Sequence, residues 1–377
     1  MRPKILFVVN VDWFFVSHRL PIAVAAQNFG YDVHIACQVT DKKQELEGYG
    51  FTVHSISLER SGTSVLKEFQ TMLSIYRLIK KISPSLMHMI TVKPVIYAGI
   101  AARILGVSKV ASISGLGFVF IAEGFKSKLL RSLITILYKL ALNDGKSRVI
   151  FQNDSDKGLF IRRGIISDSN TLIVRGSGVE LDKYQVKPEP ESYPVIVLLA
   201  RLLIDKGVLE FVQAAEILKS KGVPCKMVLA GDTDENPKSV NKNQIADWVN
   251  KGIVEYWGYS KDVNSTYANC HIAVLPSYRE GLPKSLIEAA ACGRAVITTD
   301  VPGCRDAITP NKTGLLVPVK SSLELALAIE TLCNDSKLRQ SLGQEGRQLA
   351  EQAFDIKSVI QIHLNLYADL LKGKPSV

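Results

Sequence analysis

"HIAVLPSYREGLPKSLIEAAACGRAVITTD", residues 271–300, sets an apolar strand, a Gly-Pro turn, a helix of small residues and a second apolar strand in one unbroken run. Strands apolar on both faces and joined through a helix are the βαβ unit of a parallel sheet covered on each side. The same run holds a chemical oddity. Glu288 stands between Ile287 and Ala289 inside the helix, where burial of a lone charge costs several kcal/mol, so something must answer its carboxylate. Eight residues earlier Glu280 precedes Gly281, which lets backbone N–H groups approach a ligand without a Cβ, and Pro283 suits a first helical turn. Helical side chains lean toward the N-terminus, so Glu288 reaches for whatever binds at that end. The two hydroxyls of a ribose are natural partners for an ionised carboxylate.

The alternation continues outward in both directions. In the first half "KILFVVN", "DVHIAC", "FTVHSISL", "LMHMI" and "KVASIS" read as strands, with helices near 18–28 and over 65–82. In the second half "VIVLLAR", "CKMVLAG" and "IVEYWGY" join "HIAVLPS" and "AVITTD", with helices over 208–220 and near 240–250. Between them apolar periodicity lapses and Pro188, Pro190 and Pro194 cluster, which reads as a linker. The expected fold is α/β, with two Rossmann-like doubly wound parallel-sheet domains facing across a cleft. Their expected bounds are 1–183 and 184–377, with a last helix near 356–371 packing back on the first. Ligands of such sheets sit outside the carboxyl ends of the strands, so motifs directly after strands carry the chemistry.

Composition narrows the class. The six cysteines are scattered without a CxxC pair and the six histidines lack metal-ligand spacing, which excludes a disulfide framework and a zinc module and suits a reducing cytoplasm. "MRPKILFVVNVDWFF" reads as a first strand rather than a signal peptide, and no stretch approaches the ~18 uncharged apolar residues of a spanning helix. Residues 1–183 hold 24 Lys and Arg against 14 Asp and Glu, so the whole net charge of +10 lies in the first half. That field favours an anionic partner. A nucleic-acid-binding protein would draw on the same charge, but the sequence lacks a recognition helix, a zinc module and aromatics interleaved in a basic strand, so no nucleic acid is expected and salt-sensitive DNA binding would be needed to revive that reading. "GFKSKLLRSLITILYKLAL", residues 124–142, sets Phe125, Leu129 and Leu130 beside Lys126, Lys128 and Arg131, a density of large apolar residues beyond one sheet-facing stripe. Core packing is the alternative; an anionic membrane surface is the expectation.

Arg201 and Lys206 in "RLLIDKG" follow a strand and open a helix, so two cations converge on one anion, as a diphosphate requires. In "SHRLP", Ser17 reads as an N-cap with His18 and Arg19 in the first helical turn, and Lys93 in "TVKPVI" again lies between strand and helix; these four are candidates for an acceptor phosphate. Asp232-Thr233-Asp234 has metal-site spacing but reads as a polar turn, so no metal is expected.

"ARLLIDKG", "VLAGD", "EYWGYSKDV" and "LPSYREGLPKSLIEAAACGRAVITTDVPGCRDAI", in this order, resemble the family 4 retaining glycosyltransferases of the GT-B fold. The resemblance implies a UDP-sugar donor, no cofactor and no metal. It places Arg201 and Lys206 on the donor diphosphate, Glu280, Gly281, Leu282 and Pro283 at the donor sugar, Glu288 on the ribose and Tyr259 beside the base. The "SISGLGFVF" loop, with Gly115 and Gly117 for close approach to the sugar, lacks the histidine that many members place there. The departing phosphate then takes the acceptor proton. The wording around "PSYREGLPKS", with "SHRLP" and "SGLG", looks most like members that extend polyprenyl-diphosphate-linked sugars in bacterial surface polysaccharide, O-antigen or glycoprotein glycan assembly. It implies a hexose or N-acetylhexosamine moved to an undecaprenyl-diphosphate-linked sugar, by an enzyme peripheral on the cytoplasmic face of the inner membrane. A sugar-nucleotide epimerase or phosphorylase of the same fold is the alternative, recognised by turnover of a UDP-sugar without an acceptor.

Overall fold

A computed structural model describes residues 2–58, 65–116, 124–234 and 236–372, apart from the side chains of 65 and 125–127. The first unit comprises Met1–Ser177 together with Lys357–Val377, and the second Gly178–Ile356. In chain order the first unit begins β1 (Lys4–Val11), α1 (Asp12–His18), α2 (Leu20–Asn28), β2 (Asp32–Gln38), α3 (Lys43–Gly48) and β3 (Thr52–Ser55). It continues through α4 (Val65–Ile82), β4 (Leu86–Ile90), α5 (Val92–Ile104), β5 (Ser108–Ile113), α6 (Phe125–Leu142), β6 (Ser147–Phe151), α7 (Asp154–Arg162) and β7 (Thr171–Ile173). The second unit begins β8 (Val195–Leu199), α8 (Val208–Ser220), β9 (Lys226–Ala230), α9 (Lys242–Asn250), β10 (Glu255–Gly258), α10 (Val263–Ala268), β11 (Ile272–Leu275) and α11 (Lys284–Ala291). It ends with β12 (Ala295–Thr299), β13 (Gly314–Val317), α12 (Ser322–Asn334) and α13 (Ser336–Ala353), after which α14 (Ile356–Lys372) returns the chain to the first unit.

Both sheets are parallel, with orders β3-β2-β1-β4-β5-β6-β7 and β10-β9-β8-β11-β12-β13. Each order reverses once, between β1 and β4 and between β8 and β11, which gives each unit the switch point at which doubly wound sheets bind ligands. Residues Ile5 to Val9 have no solvent exposure at all, as a strand covered on both faces requires. Leu6, Val8, Met87 and Met89 pack under one helical layer with residues of α4, α5 and α6. Against the other face α14 sets Tyr367, whose ring meets Phe7, Tyr31 and His88.

Two local expectations change. The first helix begins directly after β1, because Asp12 accepts the N–H of Trp13 and also takes Thr40 and Lys42 from the next strand's loop. Ser17 therefore lies in the last turn of α1 rather than capping a helix, and Pro21 at the start of α2 opens the second helical run. The Pro-rich segment is not a loose tether. Pro188 O accepts from Arg294, Pro190 O lies 3.1 Å from His271 Nε2, and Glu189 takes both arms of Arg339, so this segment is sewn onto the second unit. The short strands β6, β7 and β13 escaped the sequence reading because three to five residues carry little periodicity.

The buried histidines set a pH limit. His88 lies 2.7 Å from both Tyr367 Oη and Ser112 Oγ, and burial holds its pKa well below the usual value, with His363 and Arg19 adding repulsion. Burial brings His363 to about 4, helped by the Arg19 charge and opposed by its bond to Val359 O. Since the unfolded histidine protonates first, near 6.5, the stability is complete above that pH and is lost as pH falls. By pH 5 His363 alone removes about 2 kcal/mol. The melting temperature is expected to fall between pH 7.5 and 5 and to recover on return; a flat profile contradicts the neutral assignment.

Candidate active site

In the second unit the segments that leave β8 and β11 at the switch point are locked together. Gly207 sits at φ 75°, and a Cβ there would run into the Pro276 carbonyl, so only glycine lets the two loops touch. Tyr278 then ties them twice, its N–H donating to Asp205 O at 3.0 Å and its hydroxyl to Glu210 Oε1 at 2.7 Å, while Lys320 from beyond β13 sits over its ring. Across this junction the Lys206 ammonium bonds Glu280 Oε1, which also accepts the Ser277 hydroxyl at 2.7 Å. The pair is mostly shielded, with 22% and 14% of the two side chains exposed, which strengthens it over a surface ion pair. Burial and the nearby Glu280 charge push the Cys304 thiol up to about 12, so it stays protonated.

Arg201, two residues beyond β8, donates to Asp234 Oδ2 at 2.6 Å and remains 41% exposed. Asp234 also accepts the Asn236 N–H, so this half of the Asp-Thr-Asp stretch serves a turn and an arginine. Among the described residues there is no group of three His, Cys, Asp or Glu side chains able to hold a metal. Glu280 and Gly281 are backed by Gly303, at φ 84°, where a Cβ would lie 2.6 Å from Gly281 O and closer still to Glu280 O. Leu282 is buried in the core, so only its backbone is available, and Pro283 directly precedes α11.

Glu288 is 6% exposed and finds partners within the chain. Its Oε1 accepts the Tyr184 hydroxyl at 2.7 Å and lies 3.3 Å from Lys284 Nζ. The expectation that a ligand alone answers this carboxylate is thereby corrected: the chain supplies two donors, one from the Pro-rich segment. Burial, then the Glu288 charge, push the Tyr184 phenol far above its usual value. Tyr259 follows β10 and is 67% exposed. Tyr184 and Glu210 were not singled out from sequence, because nothing local marks a side chain whose partner lies tens of residues away.

In the first unit the candidates are less closely joined. His18 ends α1, lies 3.2 Å from Phe14 O through Nδ1 and stacks on the Phe14 ring. Arg19 is only 3% exposed, donates to His18 O and, through burial, titrates at about 10. This corrects its expected place in an open first turn: it is the junction of two helices, turned inward toward Tyr367. Near the carboxyl ends of adjacent strands, Asn10 Oδ1 and Thr91 Oγ1 are buried without a hydrogen-bond partner among the described residues. Thr91 has φ 73°, a strained value for a β-branched residue and one that concentrates at functional positions. Lys93, in the first turn of α5, bonds Glu68. Gly115 has φ 123° beyond β5, while Gly117 lies outside the described residues. On α6, Leu129 is 68% and Leu130 46% exposed, Lys128 is exposed and Arg131 half-buried; the side chains of Phe125 and Lys126 lie outside the described residues.

Residues 4–153 match the sequence model of the glycosyl transferase 4-like family, and residues 181–349 that of the glycosyl transferases group 1. The chain is 30% identical over 94% of its length to N,N'-diacetylbacillosaminyl-diphospho-undecaprenol alpha-1,3-N-acetylgalactosaminyltransferase of Campylobacter jejuni, covering 96% of that protein. It is 23% identical over 92% of its length to UDP-Gal:alpha-D-GlcNAc-diphosphoundecaprenol alpha-1,3-galactosyltransferase of Escherichia coli, covering 91% of it. In fold it resembles Anabaena HepE, crystallised with UDP and glucose, with a TM-score of 0.77 at 18% identity over 97% of this chain and 99% of that one.

Proposed function

This chain belongs to the group 1 glycosyltransferases, and from that premise we propose that it is a retaining, metal-independent enzyme that moves a hexose or N-acetylhexosamine from a UDP-sugar to an undecaprenyl-diphosphate-linked sugar in bacterial glycan assembly. One observation carries the reading: Lys206 in contact with Glu280 where the loops after β8 and β11 meet, with Arg201 on the first of those loops. As the bond from the sugar's anomeric carbon to UDP breaks, its electron pair goes to the diphosphate. Arg201 and Lys206 neutralise that charge without metal. Glu280, itself fixed by Lys206 and Ser277, orients the donor sugar with the Gly281 and Leu282 backbone, and the acceptor hydroxyl gives its proton to the leaving phosphate on the same face. Glu288, oriented by Tyr184, accepts from the ribose, and Tyr259 lies beside the base.

Relatives named for undecaprenyl-diphosphate-linked sugars support the acceptor assignment. In the first unit Lys93 and His18 are assigned to the acceptor. Among the described residues no helix is long and apolar enough to cross a membrane, so a lipid-linked acceptor is met from the surface, and the exposed face of α6 is assigned to the anionic leaflet on the cytoplasmic side. The donor assignment is tested by Glu288→Gln, which keeps an acceptor for the Tyr184 hydroxyl. Calorimetry is expected to show UDP binding weakened on the order of tenfold or more with the melting temperature nearly kept; unchanged UDP affinity removes the ribose assignment.

A further inference from the structure

The helix α4 is fastened to the first unit in two different ways. Its C-terminal half buries Ile75, Ile79 and Ile82 at helical spacing. Its N-terminal half instead turns Leu66, Phe69 and Leu73 outward, 76%, 59% and 36% exposed. Polar contacts hold this half: the Thr71 hydroxyl donates to Ser57 O at 3.0 Å, and the Glu68 carboxylate takes the Lys93 ammonium on one oxygen and the Tyr97 hydroxyl, at 2.7 Å, on the other. Burial, then Glu68, push the Tyr97 phenol up. A clasp of three side chains thus helps to fasten two helical turns whose large apolar residues Leu66, Phe69 and Leu73 point outward, and regions with few buried apolar contacts open before the core does.

What lies outside the clasp is the second half of the observation. The helices α4, α5 and α6 share one core on one face of the parallel sheet, and both α4 and α6 run away from its carboxyl edge, where Lys93 stands. On α6, Leu129, Leu130, Leu133, Ile136 and Leu140 are exposed, with Lys128 and Lys139 exposed beside them; Lys67 stands likewise on α4. Apolar stripes flanked by cations fit the interface of an acidic bilayer.

We infer that the N-terminal half of α4 is a second lipid-facing element, and that its engagement with an anionic bilayer withdraws Glu68 and releases Lys93 and Tyr97 to an acceptor phosphate. The release step rests on the acceptor reading above; the surface does not. Because docking must break the clasp, removing the clasp must tighten docking. The test is sedimentation with vesicles of phosphatidylcholine mixed with phosphatidylglycerol. Glu68→Gln, which removes the charge but keeps an oxygen for Tyr97, is expected to bind up to about fivefold more tightly than the parent chain, the scale of a partly exposed ion pair. The variant Leu66→Ser/Phe69→Ser/Leu73→Ser is expected to bind more weakly with its melting temperature retained. Equal or weaker vesicle binding by Glu68→Gln overturns the clasp, and unchanged binding by the triple variant overturns the surface. With a short-chain water-soluble acceptor and no vesicles, Glu68→Gln is also expected to raise kcat/KM; an unchanged value overturns the release step. A parent chain that transfers no sugar to any acceptor removes the release step together with the function, while sedimentation still decides the surface.

Discussion

Lys206→Met is expected to lower kcat/KM for sugar transfer on the order of 10²–10³-fold, the loss seen when one preorganised donor to developing negative charge is removed. Its contact with Glu280 complicates the outcome, because the single variant strips a shielded carboxylate of its cation and leaves it the Ser277 hydroxyl. Breaking one side of a buried pair costs up to about 3–5 kcal/mol, so part of any activity loss could come from a loosened loop. The double variant Lys206→Met/Glu280→Gln separates the two. It removes both charges, so the melting temperature is expected to recover toward that of the parent chain while kcat/KM stays low. If the double variant restores rate along with stability, Lys206 is a strut for Glu280 and not a ligand of the leaving group.

Gly303→Ala is expected to cost about 10²-fold in kcat although residue 303 presents no side chain to a ligand. Its Cβ would meet the carbonyls of Glu280 and Gly281, and backbone cannot rotate away as a flexible side chain can. The Glu280–Gly281 peptide must shift, and displacement of a catalytic group by ~1 Å carries a penalty of this order. A left-handed alanine also costs about 1–2 kcal/mol of stability wherever it is placed. Gly252→Ala controls for that. It has φ 59°, and its Cβ would meet only the end of Lys219, 3.5 Å away. It is expected to lose stability and keep its kinetics; if the two variants lose activity alike, pressure on Glu280 is not the cause.

The parts of this site that were legible in the sequence share one property: each is a local consequence of a strand running into a turn and a helix. "LPSYREGLPKS" announces Glu280, Gly281 and Pro283 because an apolar strand, a glycine and a first-turn proline are consecutive, and "RLLIDKG" announces Lys206 for the same reason. What stayed hidden depends on contacts between distant segments. Tyr184 meets Glu288 from 104 positions away, within a segment that composition marks as a tether, and Glu68 meets Lys93 from a helix whose pattern shows only amphipathicity. In the first unit "SHRLP" misled because Ser followed by two polar residues resembles a helix start, whereas Asp12 had already begun the helix through bonds to Thr40 and Lys42. Arg19 shows the same limit from the other side: a cation near a proline reads as surface, whereas the fold buries it within electrostatic reach of Tyr367 and His363 on α14.

The most direct measurement is incubation of the purified chain with a panel of UDP-sugars and a short-chain polyprenyl-diphosphate-linked sugar, with products read by mass spectrometry. An acceptor heavier by one hexose or N-acetylhexosamine, formed with release of UDP and without added metal, is the expected result. Conversion of one UDP-sugar into another with the acceptor unchanged would contradict it.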